Sequence, residues 1–464
     1  MRKKDMSDKK MNTWIARWFE DNGSRVKELM HDLWLHPETS LNEYYACQAV
    51  TEFAMAHGFT YIENHAAQDW DNPQARPNTL IARWGEGHPV IGIVGELDAL
   101  PGLGQENSPE QSIVPGPGHG CGHNLMAGGA AGAAAALKFA MEKENLSGTV
   151  YLIESPAEEI GVGKAYLSKH GVFSKLDMAL MWHPMRGKLD FSPVSQQVAF
   201  RVQFEFHGKS THAAGDPWNG RSALDAVQLM NIGCEFLREH KKPDTWMHYC
   251  ITNGGTAPNV VPDYASSIYQ FRAMDNYNSA KELFERAVKV ARGAALMTET
   301  EMAFKVLSVI PQFYYNLPLC QHMVQAAGKI PALDYTKEEM ELARKHYHNL
   351  FGKEASEDDG EVMPMEYLPF NTDKLGISNC TDAADMTYFC PTIHCQGLGR
   401  VQDSTGHTWS TTFVSGNSLG EKAGLYAYEI IAQAAYEVMA QPELVKEFWD
   451  AHRKMNIPEH KDWI

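Results

Sequence analysis

Cysteine is scarce in this chain: eight residues among 464 (Cys47, Cys121, Cys234, Cys250, Cys320, Cys380, Cys390 and Cys395), scattered without a close-set framework. That pattern excludes a disulfide-stapled scaffold and suits the reduced thiols of a cytoplasmic protein. Positive charge is also in short supply. Lys and Arg total 41 against 58 Asp and Glu, a net charge of -17, and no basic block stands out. Nucleic acid and anionic membrane are therefore poor partners, whereas an anionic small substrate needs only one or two local cations. No long apolar run is present. The stretch from Met126 to Ala140 is rich in Ala and Gly, but Lys138 interrupts it and it is too short to span a bilayer, so it reads as a tightly packed internal helix. The opening MRKKDMSDKK has no apolar region behind it, which predicts no secretory signal. There is no internal repeat, and no Gly-x-Ser-x-Gly elbow to present a serine nucleophile.

What is present describes a folded chain of more than one domain. Hydrophobic residues make up 44% and charged residues 21%, as in soluble globular proteins. The length exceeds the ~250 to 300 residues at which one core stops growing. Amphipathic helices are expected from Trp14 to Leu35 and from about Glu43 to His57, with short β-rich runs at Thr79 to Trp84, Val90 to Val94, Thr149 to Glu154 and Asp177 to Trp182. Together they predict an α/β domain with a mainly parallel central sheet flanked by helices. Near Gln197 the pattern changes to the alternation VAFRVQFEFHG. Helix from Ala223 to Arg238, strands from His248 to Thr252 and Ser266 to Arg272, and helix from Ser279 to Ala295 come next. This predicts a small α+β domain over 196–308, inserted into a larger domain formed by 1–195 and 309–464. A short strand from Thr392 to Gly397 and a long helix from Leu419 to Met439 close the larger domain. Tyr335 to Leu375, with the acidic run Glu354 to Asp359, reads as an exposed helical insertion.

Several polar residues fall at the ends of the apolar runs, where open α/β sheets bind ligands. Gly118-His119-Gly120-Cys121-Gly122-His123-Asn124 puts a thiol and an imidazole two residues apart in a glycine-rich turn. Such a turn can wrap a cation closely, though a buried thiol beside a capping histidine has the same pattern. The Ala/Gly run after it places this pair at a helix N-terminus, which favours a thiolate. The run Thr149 to Glu154 leads into Ser155-Pro156-Ala157-Glu158-Glu159. Adjacent carboxylates are commonly a solvated turn; after a buried strand, one can hold a metal while the other shuttles a proton. His183 comes after Met181-Trp182 and precedes Pro184, Glu96-Leu97-Asp98 comes after Val90 to Val94, and His407 lies in Thr405-Gly406-His407-Thr408-Trp409. Each is weak alone, but collected they supply the donor set of a two-metal hydrolase.

At these residues the chain resembles the M20 family of metallopeptidases and amidohydrolases, in the branch of aminoacylases and auxin-conjugate hydrolases. The resemblance rests on His36-Pro37-Glu38 with Glu43, Glu96-Leu97-Asp98-Ala99-Leu100-Pro101, the Cys121 and His123 turn, Pro156-Ala157-Glu158-Glu159, and His183-Pro184. It continues through Gly208-Lys209-Ser210-Thr211-His212-Ala213-Ala214, Asn259-Val260-Val261-Pro262 and Arg272. Within that branch it is most similar to the aminobenzoyl-glutamate utilisation group, which shares Asn124 and the Gly95-Glu96 that replaces the branch's arginine-aspartate pair.

The resemblance implies that Cys121, His123, Glu159, His183 and His407 hold two divalent metal ions per subunit, Mn²⁺ or Zn²⁺. Glu158 would be the general base and Asp98 would orient the ligands. His212 would stabilise the oxyanion, and Asn259 and Arg272 would grip the substrate carboxylate. The inserted domain would serve as lid and dimerisation module of a homodimer, with a related second subunit as a further partner. The implied reaction is hydrolysis of an N-acyl amino acid, with p-aminobenzoyl-glutamate foremost. Alternatives are a dipeptide, an N-acetyl or indole-acetyl amino acid, or a non-catalytic binding homologue. Against the last stands the presence of Glu158 and of every ligand.

Overall fold

The computed structural model describes residues 11–355, 362–373, 377–378 and 380–462. In chain order the first elements are α1 (Thr13–Leu35), α2 (Tyr44–Ala56), β1 (Tyr61–His65), β2 (Thr79–Glu86), β3 (Val90–Glu96), α3 (His123–Glu144), β4 (Gly148–Ser155), α4 (Gly163–Lys169) and β5 (Met178–Arg186). Then come β6 (Ser195–His207), α5 (Ala223–Leu237), β7 (Thr245–Asn253), β8 (Tyr264–Met274), α6 (Tyr277–Thr298) and β9 (Glu301–Ile310). The remainder is α7 (Leu317–Ala327), α8 (Lys337–Phe351), β10 (Ile377–Ser378), β11 (Thr392–Arg400), α9 (Trp409–Ser415), α10 (Ser418–Ala440) and α11 (Glu443–Lys454). These elements form two compact units. Unit 1 is Met1–Pro193, Tyr314–Leu375 and Met386–Glu459; unit 2 is Val194–Phe313, Gly376–Asp385 and His460–Ile464.

The described strands of unit 1 form one sheet in the order β1-β2-β4-β3-β5-β11. The pairs β3–β4, β3–β5 and β5–β11 are parallel, and β1–β2 and β2–β4 are antiparallel. The expected mainly parallel sheet is thus present, with an antiparallel edge. Helix α3 is buried along almost its whole length, and its small residues make that possible. A Cβ at Gly129 would lie 2.1 Å from the Tyr428 ring, and one at Gly128 2.5 Å from Met30. The Ala/Gly run is therefore the surface on which α1 and α10 close. Helix α1 begins where the Asn12 side chain accepts the N–H groups of Trp14 and Ile15. It buries Ile15, Trp18, Val26, Met30 and Leu33 on one face.

Pro184, which its sequence context places in a turn, lies inside β5. The β3 ladder covers β5 only as far as Leu180, while β11 continues to pair beyond it. The proline thus falls where the strand is paired on one side alone, and its missing N–H is tolerated. The acidic run Glu354 to Asp359 lies largely outside the described residues; before it, α8 opens with a Thr336/Glu339 capping box.

In unit 2, β6 pairs antiparallel with β8 and with β9, β7 with β8, and β10 parallel with β6. Val198, Phe200, Val202, Phe204 and Phe206 alternate inward from β6, and α5 and α6 close over them. The sequence pattern does not reveal β9. Glu301, Ala303, Phe304 and Lys305 are all exposed on it, so period-two burial is lost over its first half. Among the described residues no helix is long and apolar enough to cross a membrane.

Candidate metal and catalytic site

The parallel strands of unit 1 deliver their C-terminal ends to one edge, with Glu96 ending β3 and Ser155 its partner at the end of β4. Beyond β3, the buried Asp98 carboxylate organises the turn after β4. Its Oδ1 and Oδ2 accept the backbone N–H groups of Glu158 (3.2 Å) and Glu159 (3.0 Å), and the Ser40 hydroxyl donates to Oδ2 at 2.7 Å. Ala157 adopts a left-handed backbone (φ 54°) at the turn, and its N–H donates to the buried Glu43 carboxyl at 2.7 Å. Two consecutive carboxylates are thereby fixed by their backbones rather than left in solvent.

His123 is the first residue of α3 and succeeds Gly122, whose left-handed backbone (φ 86°) and close approach to Pro184 require glycine. Its Nδ1 faces two acceptors, the Asp98 backbone oxygen at 2.9 Å and Asp98 Oδ1 at 3.1 Å. Neither can donate, so Nδ1 carries the proton and Nε2 presents its lone pair. Cys121 Sγ lies 3.3 Å from His183 Nε2, and His407 Nε2 lies 3.3 Å from Glu159 Oε2. His407 is held by a left-handed backbone (φ 57°) and by its N–H, which donates to Gly120 O at 2.9 Å. Ligand atoms of Cys121, His123 and His183, of Cys121, Glu159 and His407, and of Glu96, His123 and Glu158 form groups within 4.8 Å.

Several of these atoms are buried with no hydrogen-bond partner: His123 Nε2, Glu159 Oε1 and Glu96 Oε2. Orphaned buried acceptors facing one another are unfavourable unless a cation lies between them. Sulfur, imidazole and carboxylate donors gathered this way fit a pair of divalent ions. The electrostatics agree. Burial, reinforced by Glu159, pushes the Cys121 thiol up to about 12, so its thiolate needs a neighbouring cation. Burial, with His394 and His123 nearby, holds His183 well below the usual range, leaving a neutral imidazole to coordinate. Burial opposes charge on His123 too, yet Cys121 and Glu96 outweigh it and raise its pKa, the mark of an anionic cradle.

The other three predicted residues lie in unit 2. His212 is exposed; its Nδ1 accepts the N–H groups of Ala214 (3.1 Å) and Gly215 (3.0 Å), which puts the ring proton on Nε2 as an outward donor. Asn259 is close by in the same loop system, its backbone oxygen accepting the Ala213 N–H at 3.0 Å. Arg272, on β8, donates from Nη1 to Gln197 Oε1 at 2.7 Å and to Cys380 Sγ at 3.4 Å. Two unassigned residues join the centre in unit 1. Arg400, almost fully buried, places Nη2 3.9 Å from Cys121 Sγ. It ends β11, a strand that the sequence pattern ends at Gly397, so the strand-end signal is there but misplaced by three residues. The second is Glu96, quoted in the sequence without a role.

Comparison with known proteins places this geometry. Peptidase family M20/M25/M40 matches residues 92–462. The chain is 31% identical to one subunit of the p-aminobenzoyl-glutamate hydrolase of Escherichia coli K12 over 95% of both chains. It is 27% identical to the human Xaa-Arg dipeptidase, over 93% of this chain and 89% of that protein. Among solved structures, a dinuclear metal-binding M20 peptidase of Bacillus subtilis superposes with a TM-score of 0.57 at 21% identity, covering 91% of this chain and 99% of that one.

Proposed function

The chain belongs to peptidase family M20/M25/M40 and is a metal-dependent hydrolase of the amide bond in acylated amino acids; from this premise we propose that its substrate is p-aminobenzoyl-glutamate or a closely similar N-aroyl amino acid. The observation that carries the reading is the convergence of Cys121, His123, Glu159, His183 and His407 beside Glu158. The relative of matching length supports the choice of substrate.

When bound, the two ions acidify a water and polarise the amide carbonyl. Glu158, held by Asp98 through its backbone N–H, takes the proton of the attacking water and returns it to the leaving amine nitrogen. Asp98 keeps the His123 lone pair turned toward the site. His212 offers its Nε2–H to the developing oxyanion, and Asn259 and Arg272 receive the substrate carboxylate.

The thiolate and imidazole donors suit Zn²⁺, and the carboxylates suit Mn²⁺. The working unit is a homodimer joined through unit 2. In its support, β7 is an edge strand with Tyr249 and Ile251 exposed, and α5 exposes Ile232 and Phe236. A second, related subunit is the further option, raised by the bacterial relative, which is named as one subunit of its hydrolase. Residues 196–308 as lid and the rest as catalytic body, in the cytoplasm, complete the proposal.

A dipeptidase is the second reading, favoured by the similarity to the human Xaa-Arg dipeptidase over most of both chains. Turnover of p-aminobenzoyl-glutamate, N-acetyl and indole-acetyl amino acids and dipeptides by the purified protein decides between them. Chelation should abolish the activity and added Mn²⁺ or Zn²⁺ should restore it. Full activity of a metal-free preparation would end the metal reading, and preference for a dipeptide would replace the substrate.

A further inference from the structure

Glu96 is the last residue of β3 and is fully buried, as is Lys164 on α4. Lys164 Nζ donates to Glu96 Oε1 at 2.6 Å. The other oxygen, Oε2, lies 3.1 Å from His123 Nε2, yet neither atom makes a hydrogen bond. The Nδ1 proton of His123 is committed to Asp98, so Nε2 and Oε2 can approach this closely only with positive charge between them: a second ring proton in the ion-free protein, or a metal ion in that proton's place.

The separation is one that a shared ion would set. Two donors on one ion, each bonded at ~2.1 Å, lie roughly 3.0 Å apart at a right angle and roughly 3.4 Å apart at a tetrahedral angle. The observed 3.1 Å falls inside that interval. The neighbouring Glu154 packs over Gly95, where any Cβ would strike its carboxyl; burial, then Glu96, raise its pKa well above the carboxylate range, against the opposing charge of Lys164.

We propose that Glu96 is an additional ligand, through Oε2, of the ion held by His123, and that Lys164 positions it by fixing Oε1. This deepens the two-metal reading above and rests on it. Glu96 adds a hard oxygen donor at that ion, a donor absent from the five ligands that the family resemblance implies.

The test uses wild-type protein, Glu96→Gln, and the double variant Glu96→Gln/Lys164→Met, each stripped and titrated with Co²⁺. The double variant is needed because Glu96→Gln alone removes the carboxylate charge that faces the buried Lys164 ammonium. Stoichiometry and dissociation constants come from calorimetry with chelator competition, and the visible d–d and thiolate charge-transfer bands report each ion's surroundings. The expected result is two Co²⁺ in the wild type, and in both variants one of the two weakened by at least ~10-fold with altered d–d bands. The Cys121 charge-transfer band should persist. A folded variant that binds both ions with unchanged constants and spectrum overturns the proposal. A wild-type crystal grown with Co²⁺ gives an answer independent of variant folding: Oε2 within ~2.4 Å of the ion supports it, and an ion without Glu96 in its coordination sphere overturns it. Wild-type protein that binds no Co²⁺ would instead sink the metal reading, and this inference with it.

Discussion

Asp98 Oδ1 lies 3.1 Å from His123 Nδ1, and the same oxygen accepts the Glu158 N–H at 3.2 Å. One carboxylate thus fixes both the tautomer of a proposed ligand and the backbone of the proposed base. Burial alone would raise its pKa, but hydrogen bonding and charge from His123 outweigh that and keep it lowered. Asp98→Asn keeps the size and removes the charge, and its N–H group falls where either His123 and Glu158 or Glu159 and Ser40 now need an acceptor. The expected outcome is a folded protein whose metal affinity or kcat falls by about 10- to 100-fold. Metal titration and steady-state kinetics on the same preparation measure it; wild-type values for both would show that Asp98 only holds the fold.

Glu158 and Glu159 are adjacent in sequence but differently surrounded. Glu159 has one oxygen 3.3 Å from His407 Nε2 and the other 4.0 Å from His123 Nε2, and burial pushes its pKa up to about 7 in the ion-free protein. Glu159→Gln should therefore weaken metal binding. Glu158→Gln should retain the metals and lower kcat by ~10² to 10⁴, the scale of a proton-transfer group. Metal analysis beside kcat separates the two, and reversed phenotypes would exchange the roles.

His346 on α8 is expected to give stability a pH dependence of its own. Its Nδ1 lies 3.0 Å from Pro109 O and its Nε2 2.8 Å from Ser410 Oγ, so the neutral ring donates to the carbonyl and accepts the hydroxyl. Burial lowers its pKa from 6.5 to about 4. Between those values the unfolded chain binds the proton and the folded chain does not. Stability from this group is complete above about pH 6.5 and is lost as pH falls toward 4, by about 2 to 3 kcal/mol. Urea unfolding of wild type and His346→Gln at pH 7 and pH 4.5 should show the wild type's advantage shrinking by that amount. An advantage independent of pH would contradict the assignment.

The sequence is informative wherever function or packing imposes local pattern. The Ala/Gly run reads as a buried helix because close helix approach demands small residues, and α3 meets Met30 and Tyr428 through its glycines. Buried strands read as apolar runs, and polar residues at their ends mark the ligand edge. The features that escape it depend on partners distant in sequence. Lys164 resembles any surface lysine of a short helix, and its buried ammonium donates to Glu96, 68 residues away. Arg400 approaches Cys121 across 279 residues. Pro184 reads as a turn until the one-sided pairing of β5 with β11 is known, and β9 is hidden by its exposed outer half.

His212 belongs to unit 2, while Glu158 belongs to unit 1. Its Nδ1 is occupied by two backbone N–H groups, so the exposed ring can act only as a donor from Nε2, as an oxyanion partner must. If each site of the proposed homodimer takes His212 from the other subunit, two inactive chains can complement. Glu158→Ala and His212→Ala homodimers each lack one group at both sites. A mixed dimer has one site with both groups and one with neither. Random pairing makes half of all dimers mixed, with half of their sites intact, so co-expression should restore roughly a quarter of wild-type activity. Tagging the two chains differently and isolating the mixed species should raise that to roughly half. Isolated mixed dimers with no more activity than either parent would show that His212 serves its own chain or takes no part in the reaction.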